Sequence, residues 1–383
     1  MTLPSPPPVI LHRCGEFVGR TTNWLYDHLR HIPRYKPYVL CDSLANRQEF
    51  PELGAWRRDS QTLPRRAWRK MLGHRIYPPD ALRLRVLAPR VLHSHFGYVA
   101  VDDLALAEFL EAPWFIGFYG ADVYQLGQLD QWRKHYGPMF ARAALVLALG
   151  PVMAEELGKL GCPREKIRVH ALGVDVQSLP VRPRVLTSGI PLRLLFAGTY
   201  REKKGIHYVI ESAALARRSG VRLELHLVGD AGGKPGDLEV KQVVLDQIRV
   251  LHLEEVVIRH PYLSFKDLVA LALECHIFIA PSVTAADGDR EGTPFVLQQL
   301  MATGMPALAT LHSDIPFLFG DLHSLLVRER DGQALADRLV GYASKPESLA
   351  HDGLALREQM QRHFDVRNCA ARLAGFYDEF LAH

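Results

Sequence analysis

Short apolar runs alternate with amphipathic stretches along most of the 383 residues. Continuous runs of Val, Leu, Ile and Phe are typical of strands that are buried on both faces of a parallel sheet. The stretches between these runs repeat their apolar positions with the spacing of a helix. Alternating strands and helices predict an α/β fold with doubly wound parallel sheets.

The apolar runs fall into two series. The first series of candidate strands covers 8–11, 37–41, 90–94, 114–118 and 144–148. The second series covers 192–197, 222–228, 256–259, 276–280, 306–310 and 324–327. Candidate helices include 20–30, 100–111, 151–160, 205–218, 264–274 and 293–303. Ligands of such sheets bind beyond the carboxyl ends of the strands, so the loops at those ends are the places to search for a site.

Between the two series, residues 176–191 are rich in Pro, Ser and Gly and have no periodicity, which is typical of a connection between domains. We therefore expect one Rossmann-like domain over 1–180 and a second over 190–365. The end of the chain, within 366–383, has a helical pattern.

Composition is ordinary for a soluble globular protein, with 48% hydrophobic and 23% charged residues. The net charge of +4 is unevenly distributed, because residues 1–90 contain 16 Lys and Arg against 7 Asp and Glu. This asymmetry predicts an anionic partner for the N-terminal part.

Five separated cysteines without a C-x-x-C pair indicate reduced thiols and predict neither a disulfide frame nor a zinc site. The N-terminus lacks the pattern of a signal peptide, and no apolar run reaches the ~18–20 residues that span a bilayer. We expect a cytoplasmic protein that contacts a membrane at most peripherally.

Residues 276–310 contain the strongest candidate site. After a predicted strand, Glu291-Gly292-Thr293-Pro294 opens a predicted helix. Pro294 suits a first helical turn, and the free N–H groups there attract anions. Glu291 could accept hydrogen bonds from sugar hydroxyls. On local chemistry alone, an ordinary helix with a capping acid explains the segment equally well.

Two further strand ends have candidate ligand loops. Residues 193–205 lead through Gly198 to the cations Arg201, Lys203 and Lys204, which suit a diphosphate. In isolation, a solvated basic turn is the favoured interpretation of this segment. The pair Gly229-Asp230 follows the next strand and is weak evidence by itself.

His93 and His95 alternate at the end of another predicted strand, so that both side chains share one face. Tyr119-Gly120 follows the neighbouring strand. A metal site is one interpretation, but no third ligand has a recognisable spacing. A polar wall of an active site is the favoured hypothesis, and we expect no metal.

Residues 56–90 contain ten Lys and Arg and two acids. Within 65–76, Trp68, Met71 and Leu72 follow helical spacing among four cations. This pattern fits an anionic membrane surface, and it fits a charged helix packed on the first domain equally well. Nucleic acid is the least favoured partner, because few aromatic residues are available for base stacking.

At these residues the chain resembles the family-4 retaining glycosyltransferases of the GT-B fold, in particular the branch that builds bacterial exopolysaccharide and lipid-linked glycans. The family's donor motif, E-G-x-P followed by E-A-M-A-x-G-x-P, corresponds to 291–294 and 299–306. The segments FAGTYREKKG, VGD and LGVD also occur in the family's order. The resemblance covers about 90–315.

The resemblance implies two Rossmann-like domains facing across a cleft, with a final helix, 366–383, that crosses back to the first. The implied substrates are a UDP- or GDP-linked sugar and a glycan or lipid-linked acceptor, with no cofactor. The implied catalytic residues are Glu291, Lys204, Tyr119 and His95. The implied donor-binding residues are Gly198, Thr199, Arg201, Lys204, Gly229, Asp230, Pro261, Tyr262, Glu291, Gly292, Thr293, Pro294, Phe295 and Gln299. The acceptor side is implied to contain a loop over 15–20, with Gly15 and Arg20, together with His95 and Tyr119.

This sequence departs from the family pattern at three positions. Gln299 replaces the second glutamate of the motif, Thr199 replaces an arginine, and Tyr119 replaces a histidine before Gly120. The alternative hypothesis is therefore a catalytically weak partner subunit that binds a nucleotide sugar.

Overall fold

The computed structural model describes residues 6–19, 24–46, 48, 53–58, 62–72 and 76–381. The chain divides into two compact units. The first unit contains Met1–Gly173 and Val366–His383, and the second contains Val174–Asp365. Each unit is built around its own parallel sheet.

The described part of the first unit has a seven-stranded sheet. Its strands are β1 (Val9–Phe17), β2 (Lys36–Leu44), β3 (Gly54–Arg57), β4 (Val91–His95), β5 (Trp114–Gly117), β6 (Leu145–Ala148) and β7 (Ile167–Val169). Its helices are α1 (Trp24–Arg30), α2 (Leu63–Leu72), α3 (Pro78–Leu87), α4 (Gly97–Ala100), α5 (Leu104–Leu110), α6 (Ala121–Tyr124), α7 (Asp130–Arg142) and α8 (Pro151–Lys159). The strand order is β3-β2-β1-β4-β5-β6-β7, so the direction of winding reverses between β1 and β4.

The second unit is described in full and has a six-stranded sheet. Its strands are β8 (Leu192–Ala197), β9 (Leu223–Val228), β10 (Val257–His260), β11 (Ile277–Ala280), β12 (Ala307–Thr310) and β13 (Leu326–Val327). Its helices are α9 (Ile206–Arg218), α10 (Asp237–Val250), α11 (Phe265–Glu274), α12 (Phe295–Met301), α13 (Ile315–Phe319), α14 (Gly332–Ser344) and α15 (Glu347–His363). The order β10-β9-β8-β11-β12-β13 places the reversal between β8 and β11.

The last helix, α16 (Val366–Leu381), belongs to the first unit and packs against α1. Its Tyr377 is fully buried, and its Phe380 ring lies 5.5 Å from Phe115 in β5. The end of the chain therefore completes the cover over one face of the first sheet.

The central strands are buried on both faces, which is why they form continuous apolar runs in the sequence. Every residue of β5, β6, β11 and β12 is buried. Strand β4 is also fully buried, although its sequence is VLHSH. Three polar side chains in a fully buried strand need specific partners, and this requirement marks β4 as unusual.

The predicted α/β fold with two doubly wound parallel sheets is confirmed. Every predicted strand overlaps an observed one, while the edge strands β3 and β7 escape the apolar pattern because they are only partly buried and contain no continuous apolar run. Strand β1 continues to Phe17, so the predicted loop over 15–20 is wrong at Gly15, which lies inside the strand. Arg20 lies outside the described residues.

Candidate active site

In the second unit, the loops after β8 and β11 meet at the carboxyl edge, where the strand order reverses. The Val283 N–H donates to the Lys203 carbonyl at 2.9 Å. Gly205 has a φ of 63°, and a Cβ there would lie 1.9 Å from the Pro281 carbonyl oxygen. Glycine at 205 is therefore required for the two loops to pack backbone against backbone.

Glu291 forms ion pairs with two consecutive lysines. Its carboxylate lies 3.3 Å from Lys203 Nζ and 3.0 Å from Lys204 Nζ. Burial alone would raise the pKa of Glu291, but the charges of Lys203 and Lys204 outweigh burial and lower it to about 2. The carboxylate is therefore ionised at neutral pH and acts as a hydrogen-bond acceptor. We call Lys203, Lys204, Asp289 and Glu291 the Lys–Glu cluster.

The two lysines of the cluster differ in their contacts. Lys203 Nζ also lies 3.1 Å from Asp289 Oδ1 and donates to the Arg290 carbonyl at 3.1 Å. Burial opposes the charge of Lys203, but Glu291 and Asp289 raise its pKa. The Lys204 side chain is 22% exposed against 12% for Lys203, and among the described residues Lys204 forms an ion pair with Glu291 alone. Lys203 is tied to the 289–291 loop, while Lys204 is the cation more open to a ligand.

The backbone at Glu291 is fixed by a chain of hydrogen bonds from the loop after β12. The Glu291 N–H donates to His312 Nε2 at 3.0 Å, and His312 Nδ1 lies 2.7 Å from Glu329 Oε1. Since Nε2 accepts, the proton of this neutral ring is on Nδ1 and is donated to Glu329. The other Glu329 oxygen accepts from the Thr284 N–H at 2.9 Å.

Residues 292–294 are buried, but the helix that follows is shorter than predicted. Helix α12 begins at Phe295, and Pro294 precedes it with extended backbone. The prediction that Pro294 lies in the first helical turn is therefore wrong, and the predicted helix over 293–303 is confirmed only for 295–301. Two buried oxygens, Thr293 Oγ1 and Gln298 Oε1, have no hydrogen-bond partner among the described residues. Buried polar atoms without a partner in the protein commonly bond to an ordered water molecule or a bound ion.

Arg201 lies nearby but is engaged in another contact. Its Nε and an Nη donate to the two oxygens of Asp237, each at 3.0 Å. The hydrogen bond to Asp237 raises the pKa of Arg201. This bidentate pair connects the loop after β8 to the start of α10.

The remaining predicted donor residues line the same edge. Tyr262 donates its hydroxyl to the Asp230 carbonyl at 2.8 Å and lies 3.3 Å from Thr199 Oγ1. A Cβ on Gly229, whose φ is 124°, would lie 2.1 Å from the Gly198 carbonyl oxygen. The Tyr262 ring remains half exposed beside the exposed Pro261, and Gln299 is half-buried one residue beyond Gln298.

In the first unit, a buried carboxylate shapes the turn after β5. Asp122 accepts hydrogen bonds from the backbone N–H groups of Gly97, Tyr119 and Gly120 at 2.8–3.2 Å. Burial raises the pKa of Asp122, while these N–H donors lower it. Asp122 was not among the predicted site residues, although its position three residues after Tyr119 could have marked it as a turn acid.

The Tyr119 side chain continues into a row of buried imidazoles. Its hydroxyl lies 2.7 Å from His95 Nδ1, and His95 Nε2 lies 3.1 Å from His12 Nδ1. His93, opposite His12 in the sheet, has its Nδ1 at 2.7 Å from the Tyr377 hydroxyl. We call His12, His93 and His95 the histidine cluster.

A second pair of imidazoles lies in the same unit. His28 Nε2 and His170 Nε2 are 3.1 Å apart, and both side chains are buried. Burial is the main cause that lowers the pKa of all five histidines, and a neighbouring histidine lowers each pKa further. This unit therefore places neutral polar rings near the point where its own strand order reverses.

Comparisons with known proteins identify the family. The family model for glycosyl transferases group 1 matches residues 191–344, which contain the Lys–Glu cluster. The chain is 33% identical over 288 residues to the protein named "Putative colanic acid biosynthesis glycosyltransferase WcaL" of Escherichia coli (strain K12), covering 74% of this chain and 69% of that protein. The chain belongs to the group 1 glycosyltransferases. It is also 30% identical over 299 residues to the amylovoran biosynthesis glycosyltransferase AmsK of Erwinia amylovora, covering 77% of this chain and 71% of that one.

Solved structures agree on the fold of this glycosyltransferase. The structure of Anabaena Alr3699/HepE in complex with UDP and glucose matches with a TM-score of 0.78 and 17% identity, covering 97% of this chain and 100% of that one. The sucrose-phosphate synthase of Thermosynechococcus elongatus matches with a TM-score of 0.76 and 16% identity, covering 98% and 99%. The predicted GT-B fold is confirmed.

Proposed function

We propose that this glycosyltransferase transfers a sugar, with retention of configuration, from a nucleotide-sugar donor to a glycan or lipid-linked acceptor in the synthesis of a cell-surface polysaccharide, as a family-4 enzyme would. The observation that carries the proposal is the ion pair of buried Glu291 with Lys204 at the carboxyl edge of β8 and β11. An ionised carboxylate beside an accessible cation suits the two halves of a nucleotide sugar, since hydroxyls donate to the carboxylate and phosphates contact the cation.

The proposed chemistry depends on position and charge. Glu291 accepts hydrogen bonds from hydroxyls of the transferred sugar, and Lys204 stabilises the charge that develops on the leaving diphosphate. The acceptor hydroxyl forms the new bond to the sugar as the bond to the diphosphate breaks. A phosphate oxygen of the leaving diphosphate takes the hydroxyl proton, on the same face of the sugar from which the diphosphate departs. The positive charge of Lys204 performs at this site the task for which other transferases use a metal, so we propose a donor site without one.

The other donor contacts follow the family pattern. The N–H groups of Gly292, Thr293 and Phe295 bind phosphate, the Pro261–Tyr262 segment contacts the base, and Gln299 contacts the ribose. Arg201 acts by positioning, since both of its contacting nitrogens are paired with Asp237. On the acceptor side, Tyr119 serves the acceptor, and the buried His95 positions the Tyr119 hydroxyl.

The relatives support the choice of substrates. The names of WcaL and AmsK connect those proteins to colanic acid and amylovoran, two polysaccharides. HepE has been crystallised with UDP and glucose. This complex favours a UDP-linked sugar as the proposed donor, and a GDP-linked sugar is the alternative that the family resemblance implies.

A turnover assay with a panel of UDP-, GDP- and ADP-linked sugars tests the proposal. We expect transfer or slow hydrolysis with one donor class, and an anomeric configuration in the product, read by NMR, that matches the donor. Glu291→Gln should abolish turnover. Glu224→Gln is the matched control, because Glu224 pairs with Arg193 near the amino ends of β8 and β9. Tight donor binding without turnover in the wild-type chain would instead indicate a partner subunit.

We also propose that the protein lies on an anionic membrane surface through α2 and its neighbours. Leu63 and Met71 are each 78% exposed, and Arg66 and Lys70 are exposed on the same helix. Trp68 is half-buried and its ring lies 6.0 Å from that of Tyr77, so it is less available to lipid than its spacing suggested. Within 65–76, residues 73–75 and the side chains of Arg65 and Arg69 lie outside the described residues.

Liposome flotation tests the membrane proposal. Each basic residue near an anionic surface contributes ~1 kcal/mol to the free energy of membrane binding, so binding should require anionic lipid and weaken as salt is added. Arg66→Glu with Lys70→Glu should reduce recovery. Arg217→Glu with Arg218→Glu, at the end of α9, changes the net charge equally and should not. Equal recovery with neutral and anionic lipid would contradict the proposal. Among the helices of the described residues, none has the length and apolarity to cross a bilayer.

A further inference from the structure

The histidine cluster brings together residues that are far apart in sequence. His12 in β1 is the register partner of His93 in β4, and His95 is two residues further along β4. Side chains alternate along a strand, so all three rings lie on the same face of the sheet. The three side chains are at most 2% exposed.

The nitrogen atoms of the three rings are close enough to share a ligand. One nitrogen of each ring lies within 4.8 Å of the other two. The separation of 3.1 Å between His12 Nδ1 and His95 Nε2 is close to the ~3.3 Å that a tetrahedral ion with bonds of ~2.0–2.1 Å would impose. We propose that His12, His93 and His95 bind one divalent transition-metal ion of the zinc or cobalt class.

The hydrogen bonds around the rings support this assignment. The Nδ1 atoms of His93 and His95 each lie 2.7 Å from a tyrosine hydroxyl, that of Tyr377 and that of Tyr119. An imidazole that binds a metal through Nε2 commonly donates its Nδ1–H to an oxygen that orients the ring. His93 Nε2 is buried and has no hydrogen-bond partner among the described residues, so its lone pair is available in the tautomer in which Nδ1 donates to Tyr377.

Charge state and ligand type both suit such an ion. Burial, followed by the neighbouring histidines, lowers the pKa of each of the three rings well below the usual range. Neutral imidazoles are ligands for zinc, copper and nickel rather than for magnesium or calcium. The separations of up to 4.8 Å exceed the tetrahedral value, so binding draws the rings together.

A bound ion would have a definite local effect. It would connect β1 to β4 next to the reversal of strand order and fix the His95 ring, and through His95 the Tyr119 hydroxyl. Three protein ligands leave a fourth position for water or hydroxide, as in zinc sites that are not closed. The ion is separate from the proposed donor chemistry, which takes place at the Lys–Glu cluster of the other unit. His12 was not among the predicted site residues, because 81 residues separate it in sequence from His93, its register partner in the sheet.

Metal binding by the full-length chain without a histidine tag tests this proposal. After treatment with a chelator and dialysis, the wild-type protein should bind one Zn²⁺ per chain by calorimetry and by elemental analysis, and Co²⁺ should produce visible absorption bands. His12→Gln and His95→Gln should each weaken binding more than tenfold. Tyr377→Phe should weaken it about tenfold, since it removes an orienting hydroxyl. His226→Gln is the matched control, because His226 is a buried histidine of the second unit that pairs with His260 at 3.0 Å.

Hydrogen exchange of the wild-type protein decides the matter even if a variant fails to fold. Zn²⁺ should slow amide exchange in β1 and β4 and leave the strands of the second unit unchanged. Absence of stoichiometric binding, or equal affinity in wild type, His12→Gln and His95→Gln, would overturn the proposal. Protection confined to the second unit would do the same.

Discussion

The two units each bury polar side chains near the point where their strand order reverses. The side chains compared below are ionised in the second unit and neutral in the first. In the second unit, Glu291 remains ionised because Lys203 and Lys204 contact it. In the first unit, His12 and His95 remain neutral because burial disfavours their charged form. A buried ionised group needs a counter-charge, whereas a buried neutral ring needs hydrogen bonds or a ligand. The two sites should therefore respond differently to loss of a partner, to acid and to metal.

Loss of Lys203 should have the largest effect. Lys203→Met preserves most of the side-chain volume but removes the cation that faces Asp289 and Glu291, both of which are buried. Breaking a buried ion pair from one side costs about 3–5 kcal/mol. We expect a loss of that order in the unfolding free energy of the second unit, measured by urea unfolding with hydrogen-exchange detection. Destabilisation below 1 kcal/mol would show that Asp289 finds another partner.

Loss of Lys204 should affect catalysis more than folding. Lys204→Met leaves Glu291 paired with Lys203, so stability should fall less than in Lys203→Met. Removing a charge that stabilises the leaving diphosphate should cost about 2–4 kcal/mol in the transition state, that is, a reduction of roughly 30- to 1,000-fold in kcat. Initial rates at saturating donor are the measurement, with Arg193→Met as control because its partner is Glu224. Near-normal turnover would remove Lys204 from the site.

Acid should distinguish the units by the pH at which stability is lost. Burial and the nearby His31 lower the pKa of His28 from 6.5 to about 4 in the folded state. As the pH falls, His28 is protonated in the unfolded chain before it is protonated in the folded one. The contribution of neutral His28 to the unfolding free energy is therefore present above pH 6.5 and is lost as the pH falls towards 4. Glu291, with a folded pKa of about 2 against 4.5, contributes above pH 4.5 and loses that contribution as the pH falls towards 2.

The measurement for this comparison is the unfolding free energy of wild type relative to His28→Gln and to Glu291→Gln across pH. Each difference should change by at most on the order of 3 kcal/mol, since one pKa unit corresponds to about 1.4 kcal/mol. The difference between wild type and His28→Gln should change mainly between pH 6.5 and 4, and that between wild type and Glu291→Gln mainly below pH 4.5. Identical pH windows for both variants would show that Glu291 is not held ionised by its lysines.

How much of each site could be predicted depended on how far apart its residues are in sequence. The fold was predictable because buried strands appear as apolar runs whatever their order. The segment from Glu291 to Gln299 was predictable because its spacing is local and matches a family motif. The hydrogen bonds that hold the Glu291 backbone through His312 and Glu329 were not predictable, since they follow from the pairing of β12 with its neighbours.

The histidine cluster shows the same limit more strongly. His93 and His95 can be recognised in the sequence because they are two residues apart. His12 cannot, because the register of β1 against β4 is set by the packing of the whole sheet. The end of β1 cannot be predicted from the sequence for a related reason, since pairing with β2 extends the strand through the polar residues around Gly15.

The smallest predicted effect concerns Gln299, where the family motif has a glutamate. Gln299 is half-buried, whereas the preceding Gln298 is fully buried and its Oε1 has no partner among the described residues. A hydrogen bond from a ribose hydroxyl to a carboxylate is worth ~1.5–3 kcal/mol, against ~0.5–1.5 for an amide. Gln299→Glu should therefore tighten donor binding by about 1 kcal/mol, roughly fivefold in Kd, with little change in kcat. Calorimetry with the donor, beside initial rates, is the measurement. Gln298→Glu is the matched control, because it would bury an unpaired carboxylate and should destabilise the unit without tightening binding. Weaker donor binding by Gln299→Glu would contradict the ribose role and favour the hypothesis of a partner subunit.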